Sequence, residues 1–113
     1  MVVTEELKRM VWEKAFPQPN NNPDVFRKDY AGAWIRFQDY GNRESEFGWE
    51  IDHLKPLSMG GEDEEISNLY PLFWKNNVAK GNSYPFWATK WASEGISNIE
   101  IEKHWQVNGA SNE

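Results

Sequence analysis

Residues 46–82, EFGWEIDHLKPLSMGGEDEEISNLYPLFWKNNVAKGN, restrict the fold of this chain more than any other stretch. An apolar run, FGWEIDHL, ends on Asp52 and His53 and reads as a strand, and Pro56 keeps regular pairing from running much further. Gly60, Gly61 and the acidic run Glu62, Asp63, Glu64 and Glu65 make a connecting loop. Residues 68–72 then read as a short second strand and residues 73–80 as a short helix, with Gly81 placed to stop it. Neighbouring residues of a regular strand point to opposite faces, so Asp52 and His53 serve one site only if the strand bends or ends at the pair. On the helix, Phe73, Asn77 and Lys80 share one side, and Trp74 and Val78 another.

The flanking segments read as support for this core. Thr4 is suited to cap a helix that carries Glu5 and Glu6 in its first turn and Leu7, Met10, Val11 and Ala15 at helical spacing, so a helix is expected over about residues 4–16, before Pro17. The sequence QPNNNPD that follows is a loop. Residues 24–30 form an expected short helix carrying Arg27 and Lys28. Residues 33–37 read as a strand with Ala33, Ile35 and Phe37 on one face, followed by a turn at Tyr40, Gly41 and Asn42. In the C-terminal extension, residues 83–113, the stretch 86–92 is open between helix and strand, while Ile99, Ile101, Trp105 and Val107 alternate as one strand face.

With 113 residues the chain suits one α+β domain. Its seven Trp, six Phe and four Tyr let a small domain close a core, because each aromatic ring buries a large area. Trp49, Trp74, Trp87 and Trp91 are thus read first as packing and only second as base-stacking surfaces. No cysteine is present, which removes disulfides and thiolate zinc sites and agrees with a cytoplasmic setting. No signal peptide and no apolar run long enough to span a membrane is evident. A net charge of −6 is unfavourable for binding phosphates unless the acidic loop points away from them.

The pattern DHLKPLS-x-GG, then Asn68-Leu69, then Asn76-Asn77-x-x-Lys80-Gly81 resembles the HNH endonuclease family over about a third of the chain. The spacing is part of the likeness, with fourteen residues between His53 and Asn68 and eight between Asn68 and Asn77. The resemblance implies a ββα-metal centre, a hairpin packed on one helix with a single divalent ion between them. Asp52 and Asn77 would hold the ion, His53 would act as general base, and Asn68 would hydrogen-bond the loop and fix the pose of His53. Asn in place of His at position 77 occurs in the HNH domains of RNA-guided nucleases. Phe73 departs from relatives with His or Cys there, so no structural zinc is expected.

These roles suit the side chains. Neutral imidazole accepts a proton from water near pH 7. Carboxylate and amide oxygens completed by water and phosphate suit Mg2+ or Mn2+ better than Zn2+. The implied reaction is hydrolysis of DNA to a 5′ phosphate and a 3′ hydroxyl, a monomer cutting one strand. Lys80, Arg36 and Arg43 are the leading candidate phosphate contacts, with Arg27, Lys28, Lys55 and Lys75 as further candidates, each also readable as a solvated surface charge, and His104 lies outside the motif. Two other readings stay open, an HNH-fold module that binds nucleic acid or protein without useful activity, and a toxin-type nuclease domain.

Overall fold

The computed structural model describes residues 1–107. It is a compact α+β fold in which two helices pack with three two-stranded antiparallel sheets. Among the described residues no helix is long and apolar enough to cross a membrane.

Helix α1 spans Glu5–Trp12, its first turn closed by the Thr4 hydroxyl, which accepts from the Leu7 amide at 3.0 Å. The helix is shorter than the 4–16 expected. Phe16 exchanges two backbone hydrogen bonds with Lys28, at 2.8 and 3.0 Å, and that bridge needs extended backbone before Pro17. Residues 24–30 are not helical either. One turn at Asn22 leads into strand β1 (Phe26–Lys28), which pairs with β2 (Trp34–Arg36). Here Phe26 meets Trp34 and Phe47 edge to face, contacts distant in sequence that override local helical preference.

Strand β3 (Trp49–His53) pairs with β4 (Leu69–Phe73) in a register that sets Trp49 against Phe73 and His53 against Leu69. Helix α2 (Trp74–Lys80) follows β4 without a linker, and Gly81 ends it with φ +57°. Val11, Trp12, Ala15, Ala33, Ile35, Trp49, Leu69 and Phe73 form the core. Trp12 and Trp49 lie 5.3 Å apart, and each buried indole N–H finds a carbonyl, that of Pro23 at 2.9 Å and that of Phe37 at 3.1 Å. Phe73 packs edge to face with Trp74 and Trp91, so rings fill its surroundings.

Buried Asp29 ties the β1–β2 turn to the β4–α2 junction. One carboxylate oxygen accepts from the Ala31 and Ala33 amides at 3.0 and 2.8 Å, and the other from the Phe73 amide at 2.9 Å and the Asn76 side chain at 3.1 Å. Residues 86–92, left open between helix and strand, lie in β5 (Phe86–Glu94), which pairs with β6 (Ser97–Gln106). The ladder is interrupted by a bulge between Thr89 and Trp91. A bulge strands backbone groups, and Asn76 supplies the missing partners by accepting from the Lys90 and Trp91 amides and donating to the Trp91 carbonyl. The remainder of the C-terminal extension, residues 108–113, lies outside the described residues.

Candidate functional site

Strand β3 carries Glu50 and Asp52 on one face, two residues apart, and α2 carries Asn77. Where β3 ends, Asp52, His53 and Asn77 border one cleft of about 360 Å³, completed by Pro56, Leu57, Ser58 and Asn82. The strand stays regular through Asp52 and stops at His53, so the pair meets the cleft at a strand end.

Asp52 is 6 % exposed, and its Oδ2 has no hydrogen-bond donor. Burial pushes its carboxyl up to about 6, against the pull of the Lys80 ammonium, which lies 3.4 Å from Oδ2. An orphaned oxygen inside a polar cleft is a feature that a bound cation satisfies. Asn77 donates its side-chain N–H to Glu50 Oε1 at 2.8 Å, while Arg43 pairs with Glu50 through both of that carboxylate's oxygens. The Asn77 amide oxygen is therefore the end of that side chain left for a ligand, and it suits a hard cation. Among the described residues no three His, Cys, Asp or Glu side chains cluster as a ready metal cage.

His53 Nε2 lies 3.0 Å from both the carbonyl and a carboxylate oxygen of Asp63. Neither oxygen carries a proton to offer, so Nε2 is the protonated nitrogen of the neutral ring and Nδ1 holds the lone pair. Asp63 thereby fixes ring and tautomer together. The loop that delivers Asp63 is stapled by Asn68. Its amide oxygen accepts from the Lys55 N–H at 2.8 Å, and its amide nitrogen donates to the carbonyls of Lys55 and Glu62, at 3.1 and 3.0 Å. The Asn68 side chain thus acts on His53 through this loop.

The two loop glycines differ. Gly60 has φ +87° and open space where a Cβ would stand, whereas a Cβ on Gly61 would lie 1.8 Å from the Lys55 carbonyl oxygen. Gly60→Ala is expected to cost about 1 kcal/mol of backbone strain and leave the loop in place. Gly61→Ala is expected to push apart the Lys55 backbone that Asn68 grips. Thermal unfolding of both variants checks this, with the larger fall in Tm at Gly61.

Three residues read from the sequence as phosphate contacts are placed differently. Lys80 is 1 % exposed, its ammonium held by Asp52, the His53 carbonyl at 3.2 Å and the Trp87 ring, so it reaches no phosphate. Burial by β5 is the reason. Arg36 is bound to Asp39 at 2.9 Å, and Arg43 is occupied by Glu50. His104 is exposed on β6 beside Glu102. Sequence reasoning missed Glu50 and Asp63. Glu50 had a signal, since it shares the strand face of Asp52, whereas nothing local distinguishes Asp63 from its three acidic neighbours. No family model, curated protein or solved structure matches this chain.

Proposed function

We propose that the protein is an HNH-type endonuclease that hydrolyses DNA phosphodiester bonds with the help of one divalent ion, Mg2+ or Mn2+. The observation that carries this reading is the meeting of Asp52, His53 and Asn77 in one cleft, with a buried Asp52 oxygen that accepts no hydrogen bond. The succession of the β3–β4 hairpin and α2 supports it as well, being the order of elements that a ββα-metal centre requires. Asp52 Oδ2 and the Asn77 amide oxygen would hold the ion, with water and phosphate oxygens completing its shell. When bound, the ion supplies positive charge against the charge that builds on the phosphate.

The protein's own residues do the rest. Asp63 holds the His53 ring so that Nδ1 can take a proton from the attacking water. Glu50, itself neutralised by Arg43, keeps the Asn77 amide from rotating. Asn68 holds the loop shut, so that Asp63 stays in place. One cleft cuts one strand, leaving a 5′ phosphate and a 3′ hydroxyl.

One observation favours a second reading, a nucleic-acid or protein binding module of the same fold without activity. Lys80 already places a cation beside Asp52 and lessens its need for a metal. Supercoiled plasmid separates the two readings. Conversion to open circles with Mg2+ or Mn2+, stopped by EDTA, is the nuclease result, and no conversion with any metal leaves the binding module. Because a proton competes with the ion for Asp52, whose carboxyl titrates at about 6, the Mn2+ concentration for half-maximal nicking should rise about tenfold per pH unit below that value and level off above it.

A further inference from the structure

The outer side of α2 carries a second groove, of about 310 Å³, lined by Trp74, Lys75, Val78, Ala79, Lys90 and Trp91. Its make-up departs from the rest of the molecule. In a chain of net charge −6, this groove has two lysines and no carboxylate in its lining. Neither lysine side chain is in an ion pair or hydrogen bond with another described residue. The Lys75 ammonium instead rests over two indoles, 4.3 Å from the Trp91 ring centre and 5.5 Å from that of Trp74. The Arg43 guanidinium lies 5.7 Å from the Trp74 ring centre and balances the charge of its partner, Glu50.

Aromatic surface accompanied by ammonium groups free of ion pairs is what a single nucleic-acid strand requires. Bases stack on the rings while the cations follow the phosphates, and a base inside a duplex has no free face to offer. Position adds to the match. Trp74 and Asn77 are three residues apart on α2, hence neighbours on its surface, so groove and cleft meet along one helix. We infer that this groove binds unpaired nucleotides of single-stranded DNA flanking the bond to be cut, with bases against Trp74 and Trp91 and phosphates at Lys75 and Lys90. The inference rests on the nuclease reading for the word "flanking", and on the groove alone for the binding. It assigns the enzyme a substrate with a single-stranded or opened segment.

The test is binding without catalysis, by fluorescence anisotropy of a labelled oligothymidylate in EDTA with the full chain. The wild-type protein should bind the single strand more tightly than a duplex of the same length. A strand of the same length lacking its bases should bind at least about fivefold more weakly, the loss expected when stacking is removed. The double variant Lys75→Gln/Lys90→Gln, which changes only surface side chains, should weaken binding about tenfold or more and flatten the log–log salt dependence by about 0.7 per lysine. Equal binding by wild type and variant, equal binding of strands with and without bases, or tighter binding of the duplex would each overturn the groove assignment. If the plasmid is nicked while variant and wild type bind alike, the groove assignment fails and the nuclease reading stands. Lysine-dependent binding of the single strand with no nicking under any metal leaves the groove standing and removes the nuclease reading.

Discussion

Replacing His53 with alanine should slow metal-dependent nicking of supercoiled plasmid by about 10²–10⁴-fold, the usual worth of a positioned proton acceptor. The imidazole sits at the end of β3 with its side chain 20 % exposed, and lies outside the Trp12–Trp49 core. Its removal leaves Asp63 in solvent contact, so no buried charge is uncovered. The variant should therefore keep its Tm within a few degrees of wild type while losing activity, a separation that misfolding does not produce. Metal binding followed by calorimetry should persist, since Asp52 and Asn77 are intact. Equal nicking rates for His53→Ala and wild type would remove His53 from the mechanism.

Asp29→Ala is expected to have the largest effect on stability. Four N–H groups converge on that carboxylate from the Ala31, Ala33 and Phe73 backbones and the Asn76 side chain, all of them buried or nearly so. Each buried donor left without an acceptor costs about 1–3 kcal/mol, and partial rearrangement brings the sum to about 4 kcal/mol. For a domain of this size that is a fall in Tm of about 15–25 °C, readable by circular dichroism. Asparagine should rescue little. Its single oxygen serves the Ala31 and Ala33 amides, but its NH2 group then faces the Phe73 N–H and the Asn76 NH2, donor against donor. A variant Asp29→Asn as stable as wild type would show that the network is not the support described.

The parts of the fold legible in the sequence are those set by neighbours along the chain. The Thr4 cap, the alternation into β3, a short helix over residues 73–80 and the stop at Gly81 each depend on a few consecutive residues. Residues 24–30 depart from the expected helix because the partners of Phe26, Trp34 and Phe47, come later in the chain and outweigh local preference. Lys80 failed for a related reason. Its place on the side of α2 shared with Asn77 follows from helical spacing, but its burial depends on Trp87 in a hairpin whose strands were uncertain from sequence. Asp52, His53 and Asn77 were singled out by spacing, and the structure brings them to one cleft. The role of the acidic run is not legible locally, because it depends on Asn68 holding the Glu62 backbone and on Asp63 lying against the imidazole.

Asn76 and Asn77 are consecutive, yet they face different partners. Asn77 borders the cleft, and Asn76 grips both Asp29 and the β5 bulge. A single helical turn therefore couples the cleft mechanically to the C-terminal hairpin. Fraying of that hairpin releases the Asn76 side chain and, with it, the anchorage of the backbone that carries Asn77. The two regions are expected to open together in hydrogen exchange, the C-terminal strands serving as a keel for the cleft.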